Sequence, residues 1–239
     1  MNKTKFIYLI ASVVVFVVLA GMVSSEFFNK PDRVLAYVKK FRPTANIQNA
    51  EKEIEAQKAS PLYSGDTLST NPQGFALVQF MDKSFAQVKP NSQLIVNGSV
   101  ENDKSTTARI VLETGEIFLN VTKRANSDFE VATNSSVASV KGTQFGARFN
   151  DYYYVLEGLV ELLSNQTGET INLEANTFGQ VNEDGSIDKG ELSEDEVDKL
   201  KEENSEFDEN LEPKVLKLRF RDENGQLREI EIEYFENDN

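Results

Sequence analysis

The sequence predicts a mainly β protein, and three observations carry that prediction. From Pro61 to about Ile187, apolar and polar residues alternate in short runs, broken by turn residues at intervals of about 10–12 positions. Within that stretch, Phe129 to Phe149 holds two alternating runs that meet at Gly142. At Ser193 the pattern changes to that of a short helix, and from Leu216 to Tyr234 alternation returns. Strands of period two put one face in a core and the other in water. A β-sandwich or an irregular β-roll fits this pattern, and the even spacing also permits a solenoid-like stack.

The first element is apolar. Phe6 to Val23 is 18 residues without a charge. As a helix it is about 27 Å long, close to the thickness of a bilayer core. Lys3 and Lys5 precede it. The expected element is a transmembrane helix over residues 6–23, with residues 1–5 as a cytoplasmic tail. A rival reading is a signal peptide cut after Ser25, since Val23 and Ser25 are small. Signal h-regions run about 7–15 residues, so the longer run favours an uncleaved anchor. Lys30, Arg33, Lys39, Lys40 and Arg42 follow the helix, against the positive-inside rule, so charge does not set the orientation.

Residues 24–58 read as a connector. Val34 to Phe41 fits a short strand or a helix, and Glu51 to Lys58 has helical composition. The main series then begins: Phe75 to Phe80, Phe85 to Val88, Gln93 to Val96, Arg109 to Leu112, Glu116 to Val121, Phe129 to Ala132, Ser136 to Val140, Gln144 to Phe149, Tyr152 to Leu156, Val160 to Leu163 and Thr170 to Leu173. Met81 to Ser84, Pro90 to Ser92 and the pair Asn97-Gly98 read as turns.

Residues 188–213 read as an acidic linker with a helix. Ser193-Glu-Asp-Glu196 is a capping box, in which the Ser hydroxyl accepts from the Glu196 amide and the Glu196 carboxylate reaches back. Val197, Leu200 and Phe207 form a narrow apolar stripe, and the helix is expected to end near Asn204. Residues 214–236 read as a β-hairpin. A two-residue loop at Asn224-Gly225 sets Phe220 against Glu229. A three-residue loop, Glu223 to Gly225, sets Leu218 against Ile230, Leu216 against Ile232, Lys217 against Glu231 and Arg219 against Glu229, so this register is expected. Its apolar face needs something to pack on.

Composition excludes several chemistries. The chain has no cysteine, histidine or tryptophan. Disulfides, thiolate or imidazole zinc sites, and catalysis by a histidine base or a cysteine nucleophile are therefore ruled out. The formal net charge is -14. Between Glu183 and Glu212 there are 14 acidic residues against Lys189, Lys199 and Lys201, a local net of -11. Such a chain repels phosphate backbones, so nucleic acid is not an expected partner.

Several short motifs follow one another in order: Gly65-Asp-Thr-Leu-Ser-Thr70, Ala76 to Ser84 with Asp82-Lys-Ser84, Pro90-Asn-Ser-Gln-Leu94, Leu112-Glu-Thr-Gly115, Phe129 to Thr133, Val140-Lys-Gly-Thr-Gln-Phe145 and Val155-Leu-Glu-Gly-Leu-Val160. This series resembles the FecR domain over about Ala36 to Ile187. Lys83 stands where the family has glycine. The resemblance implies an extracytoplasmic β-sandwich or roll, with residues 59–187 as its body, in a single-pass protein of the bacterial inner membrane whose bulk is periplasmic. Related regulators of iron-uptake sigma factors carry a cytoplasmic anti-sigma domain before the membrane helix. Here only Met1 to Lys5 stands in that place, so the expectation is the outer half without that output half.

Other motifs have rival readings. Gln180 to Glu191 fits part of a calcium loop, with Asn182, Asp184, Asp188 and Glu191 at ligand positions, but Gln180 stands where an Asp is needed and no helix enters. A turn followed by an acidic linker is the simpler reading. Lys141-Gly142-Thr143 reads as an anion site or as structure. Tyr152 to Tyr154 reads as a surface platform or as core. No GxSxG, P-loop or GxGxxG occurs. The expected function is therefore not enzymatic, with no catalytic, cofactor-binding or metal residue assigned and no cofactor. The chain is expected to bind an unknown envelope protein in signalling or envelope organisation, with the membrane as its other partner through Phe6 to Val23. A module for envelope polysaccharide or calcium is the alternative. Oligomeric state is not legible.

Overall fold

The computed structural model describes residues 33–42, 45–49, 52–102, 105–123, 128–205, 213–221 and 227–235. The expected membrane helix, Phe6 to Val23, lies outside them. Among the described residues no helix is long and apolar enough to cross a membrane.

Two nine-stranded sheets form the body. The first contains β1 (Ala36–Arg42), β4 (Pro61–Leu62), β6 (Phe75–Phe80), β7 (Phe85–Val88), β10 (Glu116–Asn120), β13 (Gln144–Arg148), β14 (Tyr152–Glu157), β17 (Thr177–Val181) and β18 (Ile187–Glu191). Its spatial order is β18-β17-β14-β13-β10-β7-β6-β1-β4. The second contains β2 (Ala45–Gln48), β3 (Glu53–Glu55), β5 (Asp66–Thr70), β8 (Gln93–Asn102), β9 (Ser105–Thr114), β11 (Asp128–Ala132), β12 (Ser136–Val140), β15 (Leu159–Ser164) and β16 (Thr170–Glu174). Its order is β16-β15-β12-β11-β9-β8-β5-β2-β3. The chain changes sheet after every one or two strands. Pairing is antiparallel except between β9 and β11, which run parallel.

Alternation explains why two sheets form one core. Val78, Val88, Ile117, Leu119, Phe145, Ala147, Tyr153 and Val155 point inward from the first sheet, and Leu68, Leu94, Ile110, Phe129, Val131 and Leu162 from the second. Phe80 meets Phe129 edge to face across the gap, with ring centroids 5.0 Å apart. The two sheets face each other across one core, as in a sandwich, while the strands follow one another nearly in sequence order along both sheets, as in a stacked roll.

Three local outcomes refine the sequence reading. Residues 36–42, 45–48 and 53–55 form strands β1 to β3, and Ala36, Val38, Ala45 and Ile47 from them enter the core. Asn97-Gly98 is not a turn: β8 runs through it to Asn102, with Gly98 opposite Ala108. There φ is +150°, and a Cβ would stand 2.0 Å from the Thr107 carbonyl oxygen, so glycine serves a close approach of two strands. On Glu53–Glu55, helical composition yields to pairing with β2 at the sheet edge.

Helix α1 (Glu194–Glu203) follows β18 directly. Its capping box forms as expected, with Ser193 accepting from the Glu196 amide and the Glu196 carboxylate accepting from the Ser193 amide at 2.8 Å. Asn204 is the C-cap. Phe207, the third residue of the expected stripe, lies outside the described residues. Strands β19 (Pro213–Arg221) and β20 (Leu227–Phe235) form a separate two-stranded sheet. Its register sets Leu216 opposite Ile232, Lys217 opposite Glu231, Leu218 opposite Ile230 and Arg219 opposite Glu229, as the three-residue loop predicts. The loop itself lies outside the described residues.

Candidate docking surface

The motif residues that single out this sequence turn out to build the sandwich. Lys141 to Thr143 carries the chain from β12 in the second sheet to β13 in the first. Gly142 has φ +70°, and a Cβ there would stand 2.6 Å from the Lys123 side chain. Thr143 is buried; its hydroxyl donates to the Leu159 carbonyl at 3.0 Å, and its backbone exchanges hydrogen bonds with Val121. Lys141 pairs with Asp128 at 3.0 Å on the surface. Each residue of this tripeptide thus has a structural part: Gly142 in the crossing, Thr143 in a buried hydrogen bond and Lys141 in a surface ion pair. Gly158 packs on the same crossing, where a Cβ would stand 2.6 Å from the Gly142 carbonyl.

Other motif residues clamp turns. Ser84 donates to Asp82 through both its amide and its hydroxyl, at 2.9 Å each. Lys83 between them takes φ 71°, a left-handed conformation suited to glycine. The Thr70 hydroxyl donates to the Lys89 carbonyl at 2.6 Å and accepts from the Ser92 amide at 3.0 Å. Thr133 and Ser136 donate to Asp151, and Ser136 also meets the Tyr153 hydroxyl at 2.8 Å.

The tyrosine triplet is mostly core. Tyr153 and Tyr154 are fully buried on opposite faces of β14. Burial pushes the Tyr153 phenol up to about 12. Tyr154 lies on the outer face of the first sheet, and burial, with the nearby Glu116 carboxylate, raises its pKa further. Around it is an aromatic layer. Phe118 stacks on Tyr154 with centroids 6.1 Å apart, and Tyr152 stacks on Phe178 at 5.6 Å. Glycines make room for these rings to lie flat. A Cβ on Gly146 would fall 2.0 Å from the Tyr154 ring, and one on Gly190 would fall 2.5 Å from the Phe178 ring.

Helix α1 covers part of this layer. Val197 and Leu192 are buried with Phe118, Tyr154 and Leu156, and Leu200 packs beside them. At the helix C-terminus the Gln87 side-chain amide donates to the Asn204 carbonyl at 3.0 Å, and Lys89 Nζ donates to the Glu203 carbonyl at 2.9 Å. A cation there meets the negative end of the helix dipole. Asn204 Nδ2 reaches the Tyr154 hydroxyl at 3.3 Å. These partners are 50 to 117 positions apart in sequence, so no local pattern reveals them.

An open cleft of about 680 Å³ adjoins this contact, lined by Lys89, Pro90, Gly115, Glu116, Arg148, Phe149, Asn150 and Glu203. The Arg148 guanidinium bonds Glu116 at 2.8 Å and lies over the Tyr152 ring. Burial lowers its pKa, but the Glu116 carboxylate more than offsets this, and the net direction is up. Phe149 is 54% exposed at the rim.

The calcium-like segment is a hairpin turn. Gln180 pairs with Asp188, and Thr177 with Glu191. Asp184 accepts from the amide and hydroxyl of Ser186, and Asn182 Nδ2 donates to Asp188 at 3.0 Å. Of the four positions that a calcium loop would use, Asn182 and Asp184 lie in the turn and Asp188 and Glu191 on β18. Among the described residues no three acidic groups gather closely enough to hold a metal ion.

Comparison with known proteins now bears on the scaffold. Residues 66–161 match the family model described as FecR protein. This chain contains a FecR domain. A search of the curated proteins finds no match. Two crystal structures of a candidate anti-sigma factor from Parabacteroides distasonis ATCC 8503 are similar, at 21% and 20% identity, each with a TM-score of 0.47. Each alignment covers 55% of this chain and 62% of the other, less than two thirds of that protein's length. The FecR match begins at the first residue of β5 and ends inside β15. Strands β1 to β4 and β16 to β18 therefore complete the two sheets beyond the matched segment.

Proposed function

We propose that this chain is a membrane-anchored extracytoplasmic β domain that acts by binding another protein in envelope signalling or organisation. The FecR match at residues 66–161 is the observation that carries this reading. Phe6 to Val23 supplies the anchor in a bacterial inner membrane, with the bulk of the chain periplasmic. The FecR motif residues are spent on turns, crossings and core, which leaves partner recognition to what surrounds the scaffold. The C-terminal side is the best-equipped surface. The acidic outer face of α1 and the hairpin of β19 and β20 carry opposite patterns, one strongly charged and one alternating in apolar residues. Such a combination suits a protein partner, with charge guiding encounter and apolar area holding the complex.

Crosslinking in native membranes followed by mass spectrometry tests the reading. Reproducible adducts with one protein are expected. Adducts with glycan and no protein would overturn it in favour of a polysaccharide-binding module.

A further inference from the structure

The contact between α1 and the first sheet is narrow for what it hides. Every residue of the helix is exposed except Val197 and the half-buried Leu200. Beneath lie Phe118, Tyr154 and Leu156, side chains that take large areas out of water. The helix also has local support of its own, with a capping box and a Lys199–Glu203 pair one turn apart. Its attachment is concentrated at the C-terminal end, on Gln87, Lys89 and Tyr154. Even there the fit is imperfect, because Asn204 Oδ1 is buried with no hydrogen-bond partner, a cost that leaving the surface relieves. The contact thus joins a short, locally capped helix to an aromatic face through two apolar side chains and a few hydrogen bonds.

We propose that α1 is a detachable strap, and that the aromatic face beneath it is the docking surface for an amphipathic helix of the partner protein. The face itself specifies the occupant. It takes two apolar side chains three positions apart, as Val197 and Leu200 are, on an otherwise hydrophilic helix. The C-terminal carbonyls of that helix meet the Gln87 amide and the Lys89 ammonium. Release of α1 is a local opening that leaves the sandwich folded, since the two sheets share a separate core. The docking half rests on the protein-binding function proposed above; the detachment half does not.

The absence of cysteine makes the test clean, because one introduced thiol is the only thiol present. Val197→Cys places it under α1, and Val131→Cys places it between the sheets, both as small apolar replacements. In the folded full chain, Val197→Cys is expected to react with a maleimide at least tenfold faster than Val131→Cys, with little dependence on urea. Equal rates with equal urea dependence overturn the detachment, because α1 would then open only when the sandwich unfolds. For docking, a benzoyl-phenylalanine photoprobe at Leu156 is illuminated in native membranes. An intermolecular protein adduct is expected. If lysine-directed crosslinking captures a partner while the Leu156 probe reaches only α1, the docking surface is wrong and the protein-binding function stands.

Discussion

Lys83 is the residue at which this chain departs most visibly from the motif that identifies its fold. It sits at φ 71° between Asp82 and Ser84, which clamp the turn through two hydrogen bonds. An L-residue held in this region costs about 1 kcal/mol that glycine does not. Lys83→Gly should therefore raise stability, by about 0.5 kcal/mol once the added freedom of the unfolded chain is subtracted; urea unfolding checks it through a higher midpoint at unchanged slope. Gly146 is the opposite case. A methyl there would meet the Tyr154 ring at 2.0 Å, backed by β10 and by α1. Gly146→Ala should cost about 1–3 kcal/mol through overpacking and disturb the near-ultraviolet circular dichroism of the tyrosines. An unchanged midpoint and spectrum would contradict the account of the aromatic layer. The sequence marks Lys83 as a motif position and places Gly146 inside a strand run, but it gives the role of neither, because a glycine's purpose depends on which ring lies over it.

At the scale of elements, the sequence was most legible where physics is local. The α1 capping box follows from four consecutive residues, and the hairpin register follows from matching apolar and charged partners across one loop. Ser193→Ala should cost about 1 kcal/mol of helix stability, read as faster amide exchange over residues 194–204. The cap also has a pH dependence. Hydrogen bonds from the Ser193 hydroxyl and amide hold the Glu196 carboxyl below its ordinary value. A lowered folded pKa means that this contribution is present above the ordinary glutamate range and is lost as pH falls through the folded value. Protection factors over α1, which correct for the slower intrinsic exchange in acid, should therefore fall on acidification, and Glu196→Gln should blunt that change. Legibility failed where a local signal had a tertiary use. Asn97-Gly98 has the composition of a hairpin turn, yet the glycine serves the approach of β8 to β9. Glu53–Glu55 has the composition of a helix, yet ladder hydrogen bonds at an open edge prevail.

On the scale of the whole molecule, the motifs specify a scaffold, and the proposed docking surface is assembled from parts the sequence keeps far apart. Strands β7, β10, β13 and β14 bring Gln87, Lys89, Phe118, Arg148 and Tyr154 to one outer face, and α1 returns to lie on it. No periodicity or spacing encodes that meeting. What composition did convey is the asymmetry: a nearly balanced body followed by a strongly acidic segment and an amphipathic hairpin. The central proposal is that a protein partner binds this C-terminal side and needs the β19–β20 hairpin as well as the face beneath α1. The most direct measurement compares the full chain with one lacking Leu216 to Tyr234, each crosslinked in native membranes and analysed by mass spectrometry, with circular dichroism confirming that the sandwich still folds. The account predicts a reproducible protein adduct for the full chain that disappears on deletion. Equal capture by both chains, or no protein adduct from either, would contradict it.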